Sequence, residues 1–199
     1  MKIGLFGGAF NPVHNGHINL AKSYIDNLKL DKFIFIPTAN PPHKSSSGLA
    51  KDKDRINMLN LAISSIDNAI VSNIEFKLDG KSYTYNTVCE LKKIYPDDDF
   101  YLIVGADQFL NFKNWYKYKE LLNMVTLCTA AREKSQYDEL KRFYENDDIM
   151  SKYDCVVANI PVYVVSSSQI RDLIKNNNSV NNYLPSDVSK YIKDNNLYV

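Results

Sequence analysis

The run Ile3-Gly4-Leu5-Phe6-Gly7-Gly8-Ala9-Phe10-Asn11-Pro12-Val13-His14-Asn15-Gly16-His17 sets the frame for the whole 199-residue chain. Its apolar first part reads as a buried strand, the two glycines as a turn, and the residues from His17 onward as a helix start. A strand–turn–helix of this kind aims backbone N–H groups and the positive end of a helix dipole at one spot, which suits a phosphate. The chain has only three histidines. Two are His14 and His17, and the third, His43, lies in Pro41-Pro42-His43-Lys44.

Outward from this run, short apolar segments recur at 3–6, 33–36, 69–71, 100–104, 125–130 and 162–165. They are β-branched and mostly uninterrupted, the pattern of strands covered on both faces. Helical stripes fall between them: Ile18, Ala21, Ile25 and Leu28; Ile56, Leu59, Ile63 and Ile66; then Val88, Leu91 and Tyr95 behind an N-cap at Thr84. A polar helix over 134–146 turns Leu140 and Phe143 inward. Two more helices come after it over 168–175 and 185–194, the second with Pro185 at its start. Strand alternating with helix predicts an α/β fold: a doubly wound, Rossmann-like parallel sheet with helices on both faces, forming a single domain over 1–199. Such sheets bind ligands beyond the carboxyl ends of their strands. That places the chemistry at 7–17, 37–44, 105–109 and 166–171. Residues 38–48 carry two prolines and three consecutive serines and read as a long surface loop of the kind that serves as a lid.

Composition narrows the classes. Apolar residues make up 45% and charged residues 24%, with a net charge of +1, so bulk binding to nucleic acid or to an anionic membrane is not expected. Met1 runs straight into a strand, and no long apolar span is present. Neither a signal peptide nor a membrane helix is expected. Cys89, Cys128 and Cys155 are widely spaced and odd in number; they read as free thiols in a reducing, cytoplasmic setting.

Each motif has a bland reading beside its functional one. Gly7-Gly8 lets backbone approach a ligand, yet it also suits a plain strand-to-helix turn. His14 and His17, three apart, share a helix face. With His43 they could hold zinc, but the H-E-x-x-H pattern is absent and a helix start favours anions, so phosphate is the better reading. Lys44 reads equally as a charge over phosphate or as a solvated lysine. Ser166, Ser167 and Ser168 open a helix and offer hydroxyls beside its first N–H groups, and Arg171 one turn on can fork two phosphate oxygens. Asp107 could orient a sugar or ring. Trp115, the only tryptophan, is either a stacking face or a core residue.

Taken together, Gly-Gly-x-Phe-x-Pro-x-His-x-Gly-His and Ser-Ser-x-x-Ile-Arg resemble the nucleotidyltransferase superfamily of the adenylyltransferase type. Pro41-Pro42-His43-Lys44, Ser82-Tyr83-Thr84, Gly105-Ala106-Asp107-Gln108-Phe109, Trp115 and Ser167-Ser168-Gln169-Ile170-Arg171, in that order, narrow the resemblance to the bacterial nicotinate-nucleotide adenylyltransferases. It spans nearly the whole chain. Three positions depart from the pattern: Ala9 stands where Thr or Ser is usual, Asn11 where Asp is usual, and Ser168 where Thr is usual.

The resemblance implies transfer of AMP from ATP to nicotinate mononucleotide, with release of pyrophosphate. It implies that His14, His17 and Arg171 are catalytic. ATP would be bound by Gly7, Gly8, Ala9, Phe10, His14, His17, Ser166, Ser167, Ser168 and Arg171, and the acceptor by Lys44, Tyr83, Thr84, Asp107, Trp115 and Tyr116. Mg²⁺ would arrive with ATP and need few protein ligands. The expected partners are these two small molecules, with no nucleic acid and no membrane; a homo-oligomer stays open. The alternatives are an adenylyltransferase for nicotinamide mononucleotide or phosphopantetheine, and a nucleotide-binding protein without turnover.

Overall fold

The computed structural model describes residues 1–41, 48–131, 133–160 and 165–199. Among the described residues six strands form one sheet: β1 (Lys2–Gly8), β2 (Lys32–Pro37), β3 (Ala69–Val71), β4 (Asp99–Val104), β5 (Val125–Ala131) and β6 (Cys155–Asn159). Their order is β3-β2-β1-β4-β5-β6, and every pairing is parallel. The order reverses between β1 and β4, and that reversal places a crevice beyond the carboxyl ends of the two strands. The predicted doubly wound α/β fold is the observed one.

Side-chain alternation along the strands builds two cores. Phe33 and Phe35 of β2 face one side, with Ala21 and Tyr24 of α1 (Asn15–Leu28) and Met58, Leu59 and Ala62 of α2 (Asp52–Ile63). Ile34 and Ile36 face the other, with Val88 and Leu91 of α3 (Thr84–Ile94), Phe109 of α4 (Ala106–Leu110), Leu121 of α5 (Tyr118–Leu122) and Leu140 of α6 (Lys134–Glu145). After β6 the chain returns to the first side, where Ile170 of α7 (Ser167–Lys175) and Val188 and Ile192 of α8 (Ser186–Asp194) close the core. Each two-residue step along a strand serves one layer, so β2 needs bulk at every position.

Several sequence expectations shift. A sixth strand lies at Cys155–Asn159, ahead of the expected one over 162–165, whose positions 162–164 are outside the described residues. Cys155 to Asn159 pair in step with Leu127 to Ala131 of β5. The cap of α3 is the extended backbone of Tyr83, one residue before Thr84, with no side-chain bond. The buried stripe of α2 is Arg55, Met58, Leu59, Ala62 and Ile63, which begins on a charged residue. The short helices α4 and α5 and a 3-10 turn at Ile74–Lys77 carry too few turns to show periodicity. The three cysteines are free. Among the described residues, no helix is long and apolar enough to cross a membrane.

Candidate active site

The turn after β1 takes an unexpected course. Neither Gly7 nor Gly8 has the positive φ; that falls on Phe10, at 46°, an uncommon state for a bulky residue that its surroundings must hold in place. The Phe10 ring is buried and folds back beneath Gly8, where an added Cβ would lie 3.2 Å from it. Among the described residues, nothing lies within 4 Å of such an atom at Gly7, which leaves room over the end of β1. The Asn11–Pro12 peptide is cis.

His14 is the extended N-cap of α1, and His17 lies in the helix's first turn. Their rings stack with centroids 3.6 Å apart. The His14 backbone N–H donates to Nδ1 of His17 at 3.2 Å, which leaves the His17 proton on Nε2. Phe10 meets the His17 ring edge-on at 5.1 Å. Burial pulls the His14 pKa from 6.5 to about 4. Burial, and then the neighbouring His14, hold His17 well below its usual value. Both rings are therefore neutral N–H donors at neutral pH. The His14 Nδ1 is buried and has no partner among the described residues, a polar atom in need of a ligand or water. Some of the helix-start N–H groups are already used: Asn15 donates to Tyr183 O, and His17 and Ile18 to His14 O.

The second serine-rich motif comes to this turn from the far end of the chain. Ser167 Oγ donates to Pro12 O at 2.9 Å. One Arg171 nitrogen donates to Asn11 O at 2.8 Å, and another to Ser168 Oγ at 3.1 Å. Ser166 caps α7, accepting from the Gln169 N–H. Arg171 is thus held in place through two of its five N–H groups.

The candidate acceptor residues group around α3 and α5. Tyr83 and Tyr116 have ring centroids 4.6 Å apart, which joins Ser82-Tyr83-Thr84 to Trp115-Tyr116. Trp115 is half-buried and packs on Phe112 at 5.0 Å, so it is both a core neighbour and a partly open face. Asp107 is exposed on α4, its carboxylate accepting from Gln108 Nε2. Lys44 and His43 lie outside the described residues, and with them the third candidate zinc ligand. Among the described residues, no group of three His, Cys, Asp or Glu side chains could hold a metal ion.

Two buried charged residues join the site without having been expected from the sequence. Arg55 is fully buried. It donates to Ala9 O at 2.9 Å and Thr38 O at 2.8 Å and pairs with Asp52 at 2.5 Å. Glu75 accepts from the Ala39 N–H at 3.3 Å and from Thr87 Oγ1 at 2.9 Å. The carbonyl of Thr38 and the N–H of Ala39 belong to one peptide unit, which Arg55 and Glu75 grip from its two ends. The next residue, Asn40, exchanges bonds with Ser82: its N–H donates to Ser82 Oγ, and its carbonyl accepts from the Ser82 N–H. The chain leaving β2 is therefore tied to the histidine turn and to the acceptor loop together. The signal for Arg55 is its spacing, one turn before Leu59 on the buried face of α2. Glu75 carries no such signal.

A cytidylyltransferase-like family model matches residues 5–173. Nicotinate-nucleotide adenylyltransferase of Bacillus subtilis is 36% identical over 197 residues, 99% of this chain and 98% of that protein. A probable nicotinate-nucleotide adenylyltransferase of Carboxydothermus hydrogenoformans is 40% identical over 204 residues, again 99% and 98%. In structure, Plasmodium falciparum nicotinic acid mononucleotide adenylyltransferase complexed with NaAD has a TM-score of 0.76 at 21% identity, covering 99% of this chain and 97% of that one, a likeness of fold. The chain therefore belongs to the cytidylyltransferase-like family, and within it to the nicotinate-nucleotide adenylyltransferases.

Proposed function

We propose that this chain transfers the AMP moiety of ATP to nicotinate mononucleotide, giving nicotinate adenine dinucleotide and pyrophosphate. The observation that carries the reading is the meeting of the two motifs: Arg171 and Ser167 bond the carbonyls of Asn11 and Pro12, in the turn that also holds the His14–His17 pair. Four donor groups converge there: two imidazoles, a guanidinium and a serine hydroxyl.

This fits attack by an acceptor phosphate. That phosphate is already anionic, so no general base is required, and catalysis reduces to in-line placement and stabilisation of developing charge. The His17 Nε2–H donates to an oxygen of the transferring phosphate. Its tautomer is set before substrate arrives, because Nδ1 is occupied by the His14 N–H. Arg171 and Ser168 take the leaving pyrophosphate. Mg²⁺ would be held by phosphate oxygens, in keeping with a site poor in carboxylates, and would neutralise phosphate charge.

At the other end, Trp115 offers its open face to the pyridine ring. Backbone N–H groups at Thr84 and Tyr116 receive the nicotinate carboxylate, at a helix start that favours anions. A neutral amide keeps one carbonyl acceptor but turns its NH₂ donor on the other N–H, which is left unpaired.

The deciding assay is pyrophosphate release with ATP-Mg²⁺ and each acceptor in turn. Turnover is expected with nicotinate mononucleotide, clearly faster than with nicotinamide mononucleotide. Equal rates would remove the carboxylate argument, and activity with phosphopantetheine alone would sink the assignment.

A further inference from the structure

The Tyr198 hydroxyl lies 2.8 Å from Asn11 Oδ1 and donates to it across 187 positions of sequence. Asn11 is 4% exposed. Its Oδ1 also accepts the Ala50 N–H at 2.9 Å, and its Nδ2 donates to Gly48 O at 2.9 Å. Its main-chain oxygen receives Arg171. One side chain thus joins the turn after β1, the residues leading into α2 and the segment after α8. The amide suits this role. A carboxylate at position 11 could accept from Ala50 and Tyr198 but could not donate to Gly48.

Tyr198 is itself held. Leu197 and Tyr198 pack against the first core, and the Leu197 N–H bonds Ile192 O. The preceding helix is tied to α2, since the Tyr191 hydroxyl donates to Asp54 at 2.8 Å and accepts from Asn57 Nδ2 at 2.9 Å. Burial raises the Tyr198 pKa, against the lowering effect of Arg171 and Arg55, so the hydroxyl stays a donor.

We infer that Tyr198 is a positioning residue of the nucleotide site: through Asn11 it fixes the turn whose carbonyl anchors Arg171. This rests on reading that turn as the site of the ATP phosphates. Loss of the hydroxyl leaves Asn11 Oδ1 with one donor and lets the turn shift under Arg171.

The test is Tyr198→Phe, which keeps the ring and removes one hydrogen bond. The expected result is a KM for ATP raised about threefold to tenfold, the scale of one neutral hydrogen bond, with the acceptor KM and the melting temperature little changed. Adding Tyr198→Phe to Asn11→Ala should raise the ATP KM no further, because the two act through one contact. A lowered melting temperature with an unchanged ATP KM would overturn the inference, as would additive effects in the double variant. Calorimetry of ATP-Mg²⁺ binding to the unaltered protein keeps the two levels apart. If ATP binds and Tyr198→Phe binds it equally well, only the inference fails. If ATP does not bind at all, the reading beneath it fails.

Discussion

His14 and His17 are paired twice, by ring stacking at 3.6 Å and by the His14 N–H on Nδ1 of His17. The backbone bond turns a two-tautomer ring into a donor of one defined orientation. Burial keeps both rings uncharged at neutral pH.

His17→Ala should lower kcat by roughly a hundredfold or more, the cost of one donor to transition-state charge. The ring also packs on Phe10 and Phe6, so a modest fall in melting temperature should accompany it. Steady-state kinetics beside a melting curve separate these effects. A normal kcat would leave His17 with a packing role alone.

Acid should destabilise the protein through the same pair. The folded-state pKa of His14 is depressed to about 4 from an ordinary 6.5, and that of His17 is depressed too. Below pH 6.5 the unfolded chain binds protons that the folded one refuses. Stability is therefore fully present above about pH 6.5 and is lost as pH falls toward 4, by up to about 1.4 kcal/mol per pH unit for each histidine. Urea titrations between pH 4 and 8 measure the slope, and His14→Gln should flatten it.

Arg55→Ala should cost about 2–5 kcal/mol of folding stability, because it strands the carbonyls of Ala9 and Thr38; Asp52, 58% exposed, is left to solvent. Arg55→Lys should recover only part, since an ammonium cannot reproduce the fork. Guanidinium unfolding gives the comparison; a loss under about 1 kcal/mol for the alanine variant would contradict the clamp.

Trp115 should report the acceptor. Nicotinate mononucleotide should change its fluorescence strongly, and a non-hydrolysable ATP analogue little. Because the ring is half-buried against Phe112, Trp115→Ala should raise the acceptor KM and also cost stability, though less than the ~3–5 kcal/mol of a fully buried tryptophan. A large stability loss with an unchanged acceptor KM would assign the ring to the core.

Much of this protein is legible in its sequence because the signals are local. Alternation of apolar runs with helical stripes predicts a parallel, doubly wound sheet, and Gly7 to His17 marks the crevice, since turn and helix-start chemistry depends on near neighbours. The strand at Cys155–Asn159 is not expected from the sequence because 155–165 is apolar almost throughout, and its pairing with β5 is what marks it out. The positive φ at Phe10 is hidden for a similar reason: a ring packed beneath Gly8 holds it there, not the residue's own preference.

Tertiary structure alone decided which distant residues complete the site. Arg171 meets Asn11 across 160 positions and Ser167 meets Pro12 across 155; Tyr198 meets Asn11 across 187. Arg55 and Glu75 converge on one peptide from separate elements. No local period encodes such contacts. They arise from the strand order and from the return of α7 and α8 to the face of α1, where burial favours pairing of polar groups from distant segments.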